Sequence, residues 1–342
     1  MKSGRHISAI LLAAAALLMT FGCVKEPVKV PIAVAPSVEK TKALVDGAAA
    51  LQSQSISLLG KATNGANTMV QFNNTLLYYD DANTGWFYTP VQYWIPQSLY
   101  TFGAFSPYAT SDAGSKLTNG NISYTEPDGE PTLTITDYNT GKVSGSFDAR
   151  SEDILYTSYT RDNTTQNDYS AVPLEMGHLL AAITFKIRNA SNEDIVEISD
   201  ISLEGVEYKC TLIITTDFAS ISNNPLVVGG VNSSEYFRSD DRTTPNPFLP
   251  KGMSESEFTP VFDCSHLTVL PQSLYGKEIT LNFKAHFYGS AESSSYTINL
   301  GNIDSITSWE AGKKYTYNLT ITSEDILFQV TEVPWIEHDV KL

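Results

Sequence analysis

Three stretches of the chain alternate apolar and polar residues with a period of two. Ile183, Phe185 and Ile187 alternate with Thr184, Lys186 and Arg188. Ile279, Leu281, Phe283, Ala285 and Phe287 alternate with Thr280, Asn282, Lys284 and His286, and Tyr315, Tyr317, Leu319 and Ile321 form a third set. Successive side chains of a strand point to opposite faces, so each run predicts a half-buried antiparallel strand. Shorter versions span Leu99 to Phe105 and Thr132 to Thr136. Turn signals separate the runs: Pro127-Asp128-Gly129, Asn139-Thr140-Gly141, Asn223-Asn224-Pro225, Gly229-Gly230, Pro245-Asn246-Pro247 and Ala311-Gly312. Ala43 to Leu59 has an apolar spacing that fits a short helix or an irregular stretch. The polar run Thr160 to Ser170 precedes a strong strand, which puts a boundary near Val172-Pro173. The expectation is an all-β chain of two β-sandwich domains in series, residues 43–172 and 173–342.

The N-terminus follows a different pattern. Lys2 and Arg5 precede the apolar run Ile7 to Met19, 13 residues long, and the run ends at Thr20-Phe21-Gly22-Cys23. A membrane-spanning helix needs roughly 18 apolar residues or more, so residues 1–22 fit a removable export signal better than a permanent anchor. A small residue directly before a lone cysteine marks Cys23 as the lipidation site. Residues 23–42 carry Pro27, Pro31 and Pro36, each of which removes a backbone donor and disfavours a helix, so this segment is expected to be an extended tether or propeptide.

Composition narrows the function. The formal charge is −16; losing Lys2 and Arg5 from the 22 basic residues leaves 20 against 38 acidic ones, or −18. Such a surface repels nucleic acid and anionic lipid head groups. Tyr (18) and Phe (15) are plentiful, with Gly and Pro between short segments, as in secreted all-β proteins. Cys210 and Cys264 have no CxxC or Cys/His partner, which favours free thiols over a metal site and leaves a disulfide open.

Little of the chain points to catalysis. No GxSxG elbow, HExxH or phosphate-cradling glycine loop occurs, and His178, His266, His286 and His338 are dispersed. Neither a cofactor nor a metal is expected, and the chain is not expected to be an enzyme. Asp80 to Gly85 resembles the opening of a calcium loop but lacks its spacing and its closing glutamate, so a hairpin turn before Trp86 explains it better. Trp86 and Trp94, with Tyr88 and Tyr93, are candidates for stacking on sugar rings, against the alternative of an aromatic core.

Several segments, in order, carry a family likeness: Trp86-Phe87-Tyr88, Tyr93-Trp94-Ile95-Pro96, Tyr100-Thr101-Phe102-Gly103-Ala104-Phe105-Ser106-Pro107, and Asp153-Ile154-Leu155-Tyr156. Val172 to Phe185, Leu270-Pro271-Gln272, Trp309 to Leu319, Ile326-Leu327-Phe328 and Val333-Pro334-Trp335 continue it. In this combination the chain resembles the fimbrillins, lipoprotein-derived subunits of type V pili. The resemblance implies two transthyretin-like β-sandwiches, export to the outer membrane or cell surface, proteolytic removal of an N-terminal strand, and acceptance of a neighbouring subunit's strand in the vacated groove. It also implies partners: other pilus subunits, a membrane through the lipid on Cys23, and surface ligands of host or bacterial cells, with no nucleic acid.

In such fimbrillins the cut follows arginine, yet no arginine lies between Cys23 and Arg150, so Lys40 and Lys42 are the candidate cleavage positions. An untrimmed chain would instead stay lipid-held as a pilus anchor or a lone adhesin. Ile326, Phe328, Val330, Val333 and Trp335 are candidates for a donated strand, or for the last strand of their own domain. Asp304-Ser305-Ile306 resembles O-glycosylation sites of exported proteins in these bacteria, which makes Ser305 a candidate. The expected function is a stalk, tip or anchor subunit; a monomeric surface adhesin or glycan-binding lipoprotein on the same fold is the alternative.

Overall fold

The computed structural model describes residues 29–38, 47–118, 120–140, 153–223, 235–238, 248–261, 266–323 and 326–334. Cys23, Lys40, Lys42, Cys264, His338 and Trp335 lie outside the described residues, as do the turn signals from Asn224 to Pro247.

The first half contains β1 (Val34–Val38), helix α1 (Gly47–Ser53), β2 (Ser55–Asn64), β3 (Asn67–Asp80), β4 (Gly85–Phe87), β5 (Leu99–Ser106), β6 (Asn121–Thr125), β7 (Thr132–Asn139), β8 (Leu155–Asp162) and β9 (Val172–His178). The second half contains β10 (Ala181–Asn189), β11 (Ile195–Glu204), β12 (Lys209–Ile214), β13 (Ala219–Asn223), β14 (Glu235–Arg238), β15 (Thr259–Pro260), β16 (Leu267–Val269), β17 (Gln272–Ser273), β18 (Thr280–Phe287), β19 (Ser294–Asn299), β20 (Ser308–Trp309), β21 (Lys313–Ile321) and β22 (Ile326–Pro334). The architecture is all-β, as the alternation predicts.

A seven-stranded sheet runs β1-β9-β8-β5-β2-β3-β4, and a four-stranded sheet runs β13-β12-β7-β6. Leu59 and Phe105 of the first sheet share one buried cluster with Leu133, Ile135, Leu212 and Ile214 of the second. On its other face the seven-stranded sheet has a further core containing Ile56, Leu58, Phe72, Tyr100 and Phe102. Strands β2 and β5 are therefore buried on both faces. That is why the apolar run Leu58-Leu59 has one side chain in each core.

In the second half β15-β10-β21-β22 packs on β14-β11-β18-β19 around Ile183, Phe185, Ile187, Leu281, Phe283, Tyr317 and Leu319. The three alternating runs become β10, β18 and β21, each with its apolar positions inside. Strand β10 lies parallel to β21, pairing Ile183 with Tyr315 and Ile187 with Leu319.

The halves do not part at Val172-Pro173. Strand β9 begins there and belongs to the first sheet, pairing with both β1 and β8. The β12–β13 hairpin then returns from the second half to pair with β7, matching Leu212 with Ile135 and Ile214 with Leu133. At the junction after β9, buried His178 bonds through Nδ1 to Asp153 Oδ1 at 2.9 Å.

Candidate functional site

Residues 29–38 form the element on which a strand-exchange function would turn. Pro31 and Pro36 exclude a helix and are tolerated in an outer strand. Ile32 and Val34 are buried while Pro31, Ala33 and Ala35 are exposed, the period-two pattern of a strand on a core. Far from being a free tether, the segment links residues 92–94, outside the named strands, to the β9 edge of the first sheet. Its beginning pairs with residues 92–94: Trp94 N donates to Val30 O at 3.0 Å, and Ile32 N donates to Gln92 O at 2.9 Å. The Tyr88 hydroxyl donates to Ile32 O at 2.5 Å, and burial pushes its pKa up, which keeps it protonated as a donor. The chain then crosses over. Val172 N donates to Ala33 O at 2.8 Å, and β1 runs parallel to β9 from Val34 opposite Val172 to Val38 opposite Met176.

Removing this segment would strip partners from Trp94 N, Gln92 O and Val172 N. It would also empty the places of Ile32 and Val34 among Phe72, Trp94, Val172 and Leu174. An incoming strand could restore both by bringing backbone groups and two apolar residues spaced by two.

The candidate donor residues lie at the other end of the chain. Strand β22 pairs with β21 over nine residues, from Ile326 opposite Ile321 to Pro334 opposite Lys313. Ile326 and Val330 pack on the core of their own half, and Val333 is half-buried. Strand β22 thus completes its own sheet, with Phe328 opposite Leu319. It ends beside the junction, since Gly312 N donates to Leu180 O at 2.9 Å next to Lys313.

Trp86 is half-buried edge-on against Tyr79, with ring centroids 5.5 Å apart. Trp94 is only 5% exposed. Tyr100 lies edge-on to it at 4.7 Å, Tyr169 stacks on it at 6.0 Å, and the Arg161 guanidinium lies 5.3 Å from its centroid. Arg161 in turn donates to Ser170 O and Ala171 O, fixing the Tyr169 loop against β8. A sugar seeking the Trp94 face must displace Tyr169 or Arg161. Ser305 is exposed in a turn beside buried Ile306.

The remaining polar features are structural. Asp80 to Gly85 is the β3–β4 turn, where Asp80 accepts from Ala82 N and Asn83 Nδ2 at 2.9 and 2.6 Å, so its carboxylate is committed to the turn. His286 Nδ1 lies 3.2 Å from Ser293 Oγ. Cys210 is a buried free thiol whose pKa desolvation pushes up to about 12. Among the described residues no group of three or more potential metal ligands converges.

The fimbrillin-like family profile matches residues 41–335. The chain belongs to the fimbrillin-like family. A fimbrial protein from Bacteroides vulgatus has a similar structure, with TM-score 0.63 at 17% identity, covering 90% of this chain and 99% of its own. A protein of Bacteroides ovatus named for cell adhesion aligns at TM-score 0.51 and 12% identity, covering 92% of this chain and 100% of its own. At such identities the likeness is one of fold. Comparison with curated proteins finds no match. In this fimbrillin-like chain the strand that the tether reading missed is β1, Val34 to Val38, with the Pro31 bridge before it; the signal was Ile32, Val34, Pro36 and Val38 at period two.

Proposed function

We propose that this chain is a structural and adhesive pilus subunit of type V kind, exported as a lipoprotein on Cys23 and joined to its neighbours by strand exchange. Family membership supports a fimbrial or adhesive role at the cell surface. The observation that carries the assembly step is the N-terminal segment, which closes a slot between residues 92–94 and β9 through main-chain bonds and two buried side chains. Cleavage at Lys40 or Lys42 would free it, because both positions directly follow β1. The donor would be the tail from Trp335 onward, where Ile336, Val340 and Leu342 alternate with Glu337, Asp339 and Lys341. A strand that leaves one copy and enters the next makes a contact that does not close on itself, and so builds a filament.

Mass-spectrometric determination of the chain's N-terminus, on cells and in sheared fibres, tests this assignment. The expected result is lipidated Cys23 in the membrane fraction and a start just after Lys40 or Lys42 in fibres. A chain that begins at Cys23 everywhere and never enters fibres would rule out the stalk role.

A further inference from the structure

At the end of the first sheet remote from the junction, a cleft of about 380 Å³ is lined by Tyr93, Trp94, Tyr169, Gln71, Gln92 and Lys29. Its position follows from the register. Strand β5 starts at Leu99 opposite Asp162 and ends at Ser106 opposite Leu155, next to the second half, whereas the loops carrying Trp94 and Tyr169 adjoin the Leu99 end. The volume is in the range of small-ligand sites, roughly 300–1,000 Å³.

The lining is selective. Tyr93 is 42% exposed and offers an aromatic ring, and Tyr169 is held by its stacking on Trp94. Gln71 and Gln92 carry primary amides, each able to donate and accept. No carboxylate lines the cleft, and its one charged side chain is Lys29, whose ammonium lies 6.0 Å from the Tyr93 ring centroid. The buried Trp94 indole N–H has no hydrogen-bond partner among the described residues. Rings that meet C–H faces, and amides that meet hydroxyls, together match a sugar.

We propose that this cleft binds a neutral saccharide, with a sugar ring against Tyr93 and its hydroxyls on Gln71 and Gln92. Lys29 and Val30 form one wall. They belong to the N-terminal segment, so the site is whole only while that segment is in place. A ligand that binds one state and not another shifts the balance toward the first. The saccharide therefore holds the segment down, whether or not the vacated slot accepts another strand.

Saturation-transfer NMR on the full-length chain with lactose, maltose and N,N′-diacetylchitobiose tests the site, with galacturonic acid as a charged comparison. At least one neutral sugar is expected to show saturable transfer that weakens about tenfold or more in Tyr93→Ala and in Gln71→Ala and is unchanged in Trp86→Ala. At ten times its Kd that sugar should slow hydrogen exchange of the Ile32 amide about tenfold. Transfer from none of the neutral sugars, from galacturonic acid alone, or undiminished in Tyr93→Ala would overturn the site. Binding with Ile32 exchange unchanged would overturn the coupling to the N-terminal segment.

Discussion

Gly103 sits in the middle of β5, where the turn between β12 and β13 presses directly on the backbone. A Cβ at this position would clash with Thr215 O and lie 2.9 Å from Thr216 Cα, both main-chain atoms that cannot swing aside. Gly103→Ala should therefore destabilise the chain by about 1–3 kcal/mol, as overpacking does, measured as a lower urea midpoint at unchanged slope. Around the same turn, burial by itself lowers the Lys61 pKa. Its hydrogen bonds and charge contacts to Glu130 and Asp217 outweigh that effect and raise it, so the ammonium stays charged between the halves. Cys210 makes a second prediction. Its thiol is ordinarily near 9.0 and is raised by burial to about 12. A raised pKa means that the stability resting on the neutral thiol is fully present below about pH 9 and is lost as pH rises toward 12. Native protein at pH 8 should leave Cys210 unlabelled by iodoacetamide, as read by peptide mass spectrometry, and urea should expose it. The free thiol at Cys210 was expected from the sequence, but its burial, the Lys61 contacts and the glycine requirement were not legible there. The likeness Tyr100 to Pro107 flags an aromatic strand, but the need for glycine arises from a turn more than a hundred residues away.

Strands with a polar face were legible, and so in outline was β5, expected from Leu99 to Phe105, whereas β2, buried on both faces, was not. Strands β10, β18 and β21 show their alternation because every second side chain is polar and, Thr184 and Thr320 apart, at least partly exposed, whereas β2 loses it between two cores. The segment from Lys29 to Val38 escaped for another reason: its prolines suit an exposed tether and an edge strand equally, and its partners, residues 92–94 and 172–176, are remote in sequence. Its role as a closing strand makes a prediction. Ile32→Ala removes a fully buried side chain, a change worth about 2–5 kcal/mol in well-packed sites. If the loss falls on the segment, the Trp94 and Val172 amides, which donate to Val30 O and Ala33 O, should exchange at least roughly 30-fold faster. The amides of β21 should be unaffected.

At the scale of the molecule, the two sandwiches are interlocked by the β12–β13 hairpin. Leu212 and Ile214 fill the core that Leu133 and Ile135 would otherwise expose. A chain ending at His178 should accordingly show no cooperative thermal transition by calorimetry, although it holds the whole seven-stranded sheet. Both ends implicated in assembly also have places in this frame: β1 ends at Val38 opposite Met176, two residues before His178, and β22 ends at Pro334 opposite Lys313, beside the same junction. The most direct test of the assembly mechanism is to place a specific protease site across Glu39 to Lys42, cleave the purified full-length chain, and follow its mass by light scattering and unheated gel electrophoresis. Cleavage should release the N-terminal segment and yield a ladder of multiples, and a chain ending at Pro334 should yield none. A cleaved chain that loses the segment yet stays monomeric, or a ladder that persists without residues 335–342, would contradict strand exchange through this slot.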